Sequence, residues 1–167
     1  WAEANDFQGI ELWGAHARNL ASRPDRNAEW LDGYGLSVPM ISDYLPLDGD
    51  AETLRTKTVE LCRLARRWRT RKIRTFAGNR GSAEVSANER QRIVSRLKDI
   101  CAITAGYGIQ LLAETHPKTL ADTAASTVRE ATASGGGCSA SAARRTLSRR
   151  TATSADATRG SSRSCSV

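Results

Sequence analysis

Short apolar segments alternate with amphipathic helical stretches along the first 126 residues, and this alternation limits the fold more than any other feature of the sequence. Four segments are mostly apolar and long enough for one strand each: 9–14, 36–42, 72–78 and 109–116. No hairpin signal joins two of them. Continuous apolar strands separated by helices form a parallel sheet that helices cover. The sequence therefore predicts an α/β fold, either an open doubly wound sheet or an eight-stranded barrel.

Helices are predicted in four of the remaining stretches: 27–32, 51–69, 86–105 and a helix that opens near 119–122. The last of them loses its apolar pattern after Ser126. The second has one apolar stripe with spacings of three and four residues, which is the pattern of a helix buried along one face. The stripe consists of Leu54, Thr58, Leu61, Ala65 and Trp68.

Local signals bear on three of the boundaries. Ser86 and Glu89 have the spacing of a capping box, which predicts a helix start. Pro39 counts against the second strand, because proline has no N–H for the ladder of a central strand. The stretch between the first strand and Asn27 is polar, and we expect a loop there.

Ligands bind at the carboxyl ends of parallel strands in both architectures, so the polar residues at these ends are the candidates for a site. His16 follows the first segment, Arg74 lies in the third, and Glu114 and His116 end the fourth. No glycine-rich phosphate loop follows any of the segments, which argues against a nucleotide-binding fold.

Glu114 is the most informative of these residues, because a carboxylate that ends an apolar run is costly to bury without a partner. It could ligate a hard divalent cation and pass a proton. It could equally form a structural ion pair at the end of the strand. His116 lies two residues further on, so its side chain points to the same side of an extended chain.

Two other charged features have structural explanations beside functional ones. Glu11 lies between apolar neighbours, where it could point into a barrel lumen or pair with a basic residue. The basic run 66–72 contains Trp68, a combination that also occurs in nucleic-acid-binding segments. Because Trp68 belongs to the buried stripe and arginines favour the end of a helix, we interpret this run as a solvated helix end.

Most of the net charge of +7 lies at the end of the chain. Residues 131–167 contain nine Ser, eight Ala and six Arg, but one Asp and no Glu, Lys or aromatic residue. Such a segment buries too little surface to offset its chain entropy, so residues 127–167 are predicted to be a disordered low-complexity tail. The mixture is typical of a G/C-rich gene read in a shifted frame; a flexible linker or an arm that binds nucleic acid are the alternatives.

Four segments together resemble the sugar phosphate isomerase/epimerase family, a group of xylose isomerase-like TIM barrels: GIELWGAH, YGLSVPMISDYLPL, KIRTFAGNRGS and GIQLLAETHPKTLADT. The resemblance covers residues 5–126 and matches the four strands to the second to fifth of the barrel. It implies a partial (β/α)8 barrel over residues 1–126, followed by the tail 127–167, with the first strand expected upstream of Trp1.

The resemblance also implies a chemistry: an isomerase or epimerase of a sugar or sugar phosphate that uses one divalent cation (Mn, Mg, Co or Zn). Family members hold the cation through Glu, Asp, His and Glu side chains at the ends of strands five to eight, and the two glutamates move the proton beside the substrate carbonyl. Glu114 matches the first glutamate, as metal ligand and catalytic residue. His116, His16 and Arg74 are expected to bind substrate.

The other metal ligands of that family have no counterpart in the tail, because residues 131–167 contain neither Glu nor His. A full barrel takes about 250 residues. We therefore expect this chain to be an inactive fragment that does not hold the cation stably.

The expected partner is a small sugar or sugar phosphate, without membrane or nucleic acid, in a cytoplasmic protein whose intact relatives form homo-oligomers. No apolar run approaches the roughly 20 residues that span a bilayer. Two other functions stay open. An apurinic endonuclease-like metal phosphodiesterase of the same superfamily would need more histidines than His16 and His116. A non-enzymatic protein would bind its partner through the basic tail.

Overall fold

A computed structural model describes residues 1–133 and 138–141. In these residues a 3-10 turn at Glu3–Asn5 is followed by five short strands and five helices, with two helices between the first two strands and one helix between each later pair. In chain order the elements are β1 Leu12–Trp13, α1 Gly14–Ala21, α2 Ala28–Asp32, β2 Ile41–Ser42, α3 Ala51–Arg67, β3 Lys72–Phe76, α4 Ala87–Gly106, β4 Gln110–Glu114, α5 Ala124–Ala133 and β5 Cys138–Ser141. The predicted α/β alternation is confirmed.

The five strands form one parallel sheet in the order β1-β2-β3-β4-β5. The longest ladder joins β3 and β4, with Arg74 opposite Leu112 and Phe76 opposite Glu114. Sequential parallel order is the arrangement of a (β/α)8 barrel rather than of a sheet whose strand order reverses. All five carboxyl ends consequently lie along the same edge.

The second strand is much shorter than the predicted 36–42. Only Ile41–Ser42 is strand, and one isolated parallel bridge joins Ser37 to Gly9. Pro39 lies between the two paired regions and has no N–H to donate, which is the physical reason for the gap. Its carbonyl oxygen accepts a hydrogen bond from the Thr70 hydroxyl, 2.9 Å away.

The apolar core lies between one face of the sheet and the helices. Ile73 and Leu111 come from adjacent strands, Leu61 and Ile100 come from α3 and α4, and each is at most 1% exposed. Along β3 the burial alternates, with Ile73 and Thr75 buried but Arg74 and Phe76 half-buried. Since successive strand residues point to opposite faces, Arg74 and Phe76 lie on the face that these helices leave open.

The two long helices begin where the sequence predicts. The Asp50 carboxylate accepts the backbone N–H of Thr53 at the start of α3, and Ser86 and Glu89 form a reciprocal capping box at the start of α4. The predicted stripe of α3 is buried, and Trp68 is 1% exposed. Helix α3 ends at Arg67 and not at residue 69, because Arg69 has a left-handed φ of 53°.

The polar loop expected after β1 is instead the eight-residue helix α1. Its buried residues are Gly14 and Ala17, and such small residues give only a weak apolar pattern. Side chains of this size let the helix pack closely against the sheet. The segment has no stripe of large buried side chains, which is why a loop and not a helix was predicted there.

Helix α5 continues to Ala133, although the apolar pattern fades after Ser126. It buries polar groups that have partners: the Ser126 hydroxyl donates to Asp122 and the Thr127 hydroxyl donates to the carbonyl of Thr123. Strand β5 at 138–141 also falls within the segment predicted as tail. The rest of that predicted disordered tail, residues 134–137 and 142–167, lies outside the described residues.

Candidate functional site

A cavity of about 190 Å³ opens at the carboxyl edge of the sheet, where the segments that follow β2, β3 and β4 meet. We call it the carboxyl-edge cavity. Parallel α/β folds bind their ligands at this edge, so its location is that of an active site. Its wall includes Tyr44, Phe76, Asn79, His116, Lys118 and Thr119.

Four rings form a continuous row along this edge. Trp13 meets Tyr44 edge to face at 5.1 Å between ring centroids, and Tyr44 stacks on Phe76 at 4.9 Å. Phe76 in turn meets the His116 imidazole edge to face at 5.2 Å. Tyr44 is 62% exposed despite these contacts. The row therefore places an apolar aromatic surface beside the His116 imidazole.

Arg74 lies between two carboxylates on the open face of the sheet. Its Nη2 donates to Glu11 over 2.7 Å, and its Nη1 donates to Glu114. The three residues come from β3, from the residue before β1 and from the end of β4. Glu11 was predicted either to point into a barrel lumen or to pair with a basic residue. It faces the open side of the sheet and is also paired with Arg74. Glu114 is likewise in an ion pair, so its negative charge is compensated.

Asp43 fixes the segment that carries Tyr44. Its Oδ2 accepts a hydrogen bond from Arg18 over 2.6 Å, its Oδ1 accepts the N–H of Tyr44 over 2.8 Å, and its own N–H donates to the carbonyl of Arg74. A Cβ on Gly14 would lie 2.3 Å from Asp43 Oδ2, so only glycine fits there. This contact couples the start of α1 to the edge of the cavity.

The His116 imidazole is oriented by its own loop. Its Nδ1 contacts the carbonyl oxygen of Pro117, and because a carbonyl can only accept, Nδ1 carries the proton in this contact. The loop is closed by a hydrogen bond from the Thr119 hydroxyl to the His116 carbonyl, at 2.8 Å. Nε2 of the imidazole is then the atom free to accept a proton.

The loop after β3 is tied to the segment that precedes α5. The N–H of Ser82 donates to Asp122 over 2.8 Å, and the hydrogen bonding from Ser82 lowers the pKa of the Asp122 carboxyl. Arg90 donates to the carbonyl of Ser82 and to Glu130, each over 2.6 Å. These bonds hold the loop that begins with Asn79 at the rim of the cavity.

The structure brings three of the four predicted site residues to the open face and its edge. Arg74 and Glu114 are paired, and His116 lines the cavity. His16 is exposed in the first turn of α1 and does not line it. Tyr44 and Phe76 were missed as site residues. Their positions could have indicated a role in the site, because Tyr44 lies two residues after β2 and Phe76 ends β3.

The residues that the structure describes do not make a metal centre by themselves. No group of three His, Cys, Asp or Glu side chains within them is placed to hold a metal ion. Three or more such ligands are usual for a protein-bound divalent cation. Glu114, the expected ligand, is paired with Arg74. The described residues alone therefore do not fit a divalent cation.

Comparison with known proteins decides the family. The family model described as "Xylose isomerase-like TIM barrel" matches residues 1–133. The chain belongs to this family. Within the described part of the chain, no helix is both long and apolar enough to cross a membrane.

A curated relative in this family is the 3-dehydroshikimate dehydratase of Bacillus anthracis. It is 45% identical over 136 residues, which cover 77% of this chain and 48% of the relative. The crystal structure of the probable 3-DHS dehydratase AsbF from Bacillus anthracis has a TM-score of 0.75 and 43% identity, covering 80% of this chain and 51% of that one. This chain thus spans about half the length of these relatives.

The prediction of an isomerase or epimerase is wrong on this comparison, because a relative at 45% identity is a dehydratase. The motifs behind that prediction lie on the barrel framework, which enzymes with different reactions share. The divalent metal stays a prediction for this chain, because solved structures that contain a metal share only its fold. The structure of IOLI protein, with a bound zinc atom, has a TM-score of 0.63 and 13% identity, covering 78% of this chain and 50% of that one.

Proposed function

We propose that this chain supplies one half of the active site of a dehydratase that acts on a small hydroxylated ring carboxylate, with 3-dehydroshikimate as the first candidate. The observation that carries the proposal is the carboxyl-edge cavity, which places an imidazole, an ammonium group and stacked rings together. The 45% identity to a dehydratase supports the reaction class.

Ring binding would use the exposed surface of Tyr44 and Phe76. Their rings stack at 4.9 Å with an interplanar angle of 21°, so each ring covers one face of the other and the exposed side of the stack forms the apolar wall of the cavity. A six-membered ring would pack against this apolar side, where Tyr44 is 62% exposed, and its hydroxyl groups would stay directed at the polar side of the cavity.

The carboxylate of the substrate would be held by Lys118. Arg74 is already neutralised by Glu11 and Glu114, whereas Lys118 lines the cavity and has no ion pair within the described residues. Its backbone has a left-handed φ of 62°, which lets the loop turn sharply after Pro117. An ammonium group at this position attracts an anionic substrate and orients it.

His116 would transfer the proton. Nε2 accepts the proton of the carbon next to the leaving hydroxyl as the carbon–carbon double bond forms. As the carbon–oxygen bond breaks, the imidazolium returns that proton to the hydroxyl, which leaves as water. One imidazole thus serves both steps, and the atoms and charges balance. General acid–base catalysis of this kind contributes about 10²- to 10⁴-fold to the rate.

The test is a chimera in which residues 1–133 replace the corresponding half of the Bacillus anthracis dehydratase, so that the barrel is complete. We expect it to dehydrate 3-dehydroshikimate. The reaction rate is measured from the ultraviolet absorbance of the product. His116→Asn should lower kcat about 100-fold or more. Lys118→Met should mainly raise KM, since it removes a binding charge.

Lys57→Met is the matched control for Lys118→Met, because Lys57 is exposed on α3 and distant in sequence from the cavity loops. It should leave both kinetic constants unchanged. A chimera that folds, as judged by cooperative unfolding, but does not dehydrate this substrate would overturn the proposed reaction. Equal kcat for His116→Asn and the parent chimera would remove His116 from the mechanism.

A further inference from the structure

A second cavity, of about 540 Å³, opens at the opposite edge of the sheet. It is lined by Arg66, Arg69, Thr70, Arg71, Tyr107 and Gly108, together with Ile109. Arg71 directly precedes β3, and Gly108 and Ile109 precede β4. Because the strands are parallel, this cavity lies at their amino ends. We call it the basic cavity, and the dehydratase proposal makes no use of it.

The wall of the basic cavity contains three arginines and no acidic residue. Arg69 forms ion pairs with Glu29 and Asp32 outside the wall. Arg66 and Arg71 are exposed, and neither has an ion pair with any acidic residue in the described part of the chain. Two guanidinium groups therefore carry uncompensated charge into a cavity large enough for a small ligand.

The cavity is held in shape by local contacts. The Arg66 guanidinium lies over the Tyr107 ring at 5.2 Å from its centroid, which restrains a long side chain. Arg69 takes a left-handed φ of 53° directly before the buried Thr70, whose hydroxyl donates to the Pro39 carbonyl. The carbonyl of Arg71 accepts the N–H of Gln110 over 2.8 Å, which fixes the backbone between the two strands.

The chemistry of the wall points to a phosphorylated ligand. Guanidinium groups pair with phosphate through two parallel hydrogen bonds each, and they do so more strongly than with neutral acceptors. Two free guanidinium groups match two phosphate groups better than one carboxylate. Tyr107 is already covered by Arg66, so the ring is not available as a platform for a base.

We propose that the basic cavity binds the diphosphate group of a small anion, with Arg66 and Arg71 as its main contacts. This assigns a role to part of the basic run 66–72 that differs from a solvated helix end. The ligand could be inorganic pyrophosphate or a nucleoside diphosphate, which share this chemistry. The site lies at the opposite edge from the carboxyl-edge cavity, so binding there would be independent of the dehydratase substrate.

Isothermal titration calorimetry of the full chain with inorganic pyrophosphate tests the proposal, with ADP as a second ligand. We expect saturable binding of one pyrophosphate per chain, weakened about tenfold or more by Arg66→Ala and by Arg71→Ala, the usual effect of losing a hydrogen bond to a charged group. Tighter binding of ADP than of pyrophosphate would identify a nucleotide as the source of the diphosphate. Equal or weaker binding would identify the free anion.

Arg63→Ala is the matched control, because Arg63 is exposed on α3 one turn before Arg66 and does not line the cavity. It removes the same charge and should leave the affinity unchanged. If all three variants lose affinity equally, or none does, the anion binds through general positive charge, including the arginines of residues 142–167, and the proposal is overturned. Absence of binding by either ligand also overturns it. Circular dichroism of each variant checks that the fold is intact.

Discussion

Gly14 lies directly against the Asp43 side chain at the carboxyl edge of the sheet. The Asp43 carboxylate occupies the space where any larger residue at position 14 would place its Cβ, 2.3 Å from Oδ2. The same carboxylate accepts hydrogen bonds from Arg18 and from the N–H of Tyr44. The absence of a Cβ at Gly14 therefore allows the segment of Asp43 and Tyr44 to keep its position beside the cavity.

Gly14→Ala should destabilise the fold by about 1–3 kcal/mol, the usual cost of overpacking a close contact. Urea denaturation at neutral pH measures the change. Gly106→Ala is the matched control, because no atom lies within 4 Å of its added Cβ and it ends an exposed part of α4. There, alanine should stabilise by about 0.5–1 kcal/mol. Equal effects of the two substitutions would contradict the role of this contact.

Arg74 also stabilises the fold, because it forms ion pairs with the carboxylates of Glu11 and Glu114. Arg74→Gln leaves Glu11 and Glu114 close together and uncompensated, so we expect a loss of about 1–2 kcal/mol, between the values for exposed and buried pairs. The side chain of Arg74 is 23% exposed, which places it between those limits. Urea unfolding midpoints provide the measurement.

The double variant Arg74→Gln/Glu114→Gln separates this ion-pair effect from lost packing. Removing one carboxylate relieves the repulsion, so it should recover part of the stability that Arg74→Gln loses. Glu11→Gln alone should cost less, because Arg74 keeps its bond to Glu114. A double variant no more stable than Arg74→Gln would show that the charges are not coupled.

At the scale of single elements, the start of α4 is the most strongly specified by sequence. Hydrogen bonds from Ser86, with a further contribution from Arg80, lower the pKa of Glu89 from 4.5 to about 2. A carboxyl group with a lowered pKa in the folded state stabilises the fold above the unfolded pKa. Its contribution is therefore complete above pH 4.5 and is lost as the pH falls towards 2.

Glu89→Gln should abolish this part of the pH dependence, since glutamine does not ionise. Urea denaturation between pH 6 and about pH 2 is expected to show a steeper acid loss of stability for the parent chain than for Glu89→Gln. Glu52→Gln is the control, in the first turn of α3, because Glu52 is exposed and has no ion pair in the part of the chain that the structure describes. Identical slopes for the parent chain and Glu89→Gln would refute the assignment.

Helices differ in how far their sequence specifies them. Asp50 and the Ser86–Glu89 pair act within four residues, so a local pattern is enough to predict the starts of α3 and α4. Helix α5 is different. Ser126 and Thr127 are buried polar residues whose partners are hydrogen-bond groups of the preceding turn. An apolar stripe does not reveal such a helix, and the prediction stopped at Ser126 for this reason.

At the scale of the whole molecule, the sheet has one face packed by helices and one face that carries Glu11, Arg74, Phe76 and Glu114. In a closed barrel that second face is the interior, and the carboxyl ends of all the strands surround one site. The matched relatives are about twice as long as the part that this chain covers. An active site at these strand ends would therefore be surrounded by both halves of a closed barrel, of which this chain supplies one.

Divalent cations should therefore leave the melting temperature of this chain unchanged. A ligand raises the melting temperature only if it binds the folded state, and the described residues bring no three ligating side chains together. Differential scanning fluorimetry with an excess of Mn²⁺, Mg²⁺, Co²⁺ or Zn²⁺, against a sample treated with a chelator, measures this. A clear rise that the chelator reverses, and that Glu114→Gln removes, would contradict the expectation.

The sequence by itself determined the alternation of strands and helices, the buried stripe of α3, the two capped helix starts and the position of Glu114 at a strand end. These features depend on residues within one or two turns of each other, where apolar periodicity and hydrogen-bonding side chains act directly. The family motifs are also local sequence features. They indicated the barrel fold correctly but the reaction wrongly.

Only the tertiary structure decided which of these residues meet. Arg74 is 63 residues from Glu11 and 40 from Glu114, and the register of a parallel sheet brings the three together. Tyr44, Phe76 and His116 join one row of rings in the same way. The physical reason is that parallel strands are adjacent in space although a whole helix separates them in sequence, so their shared edge has no local signature.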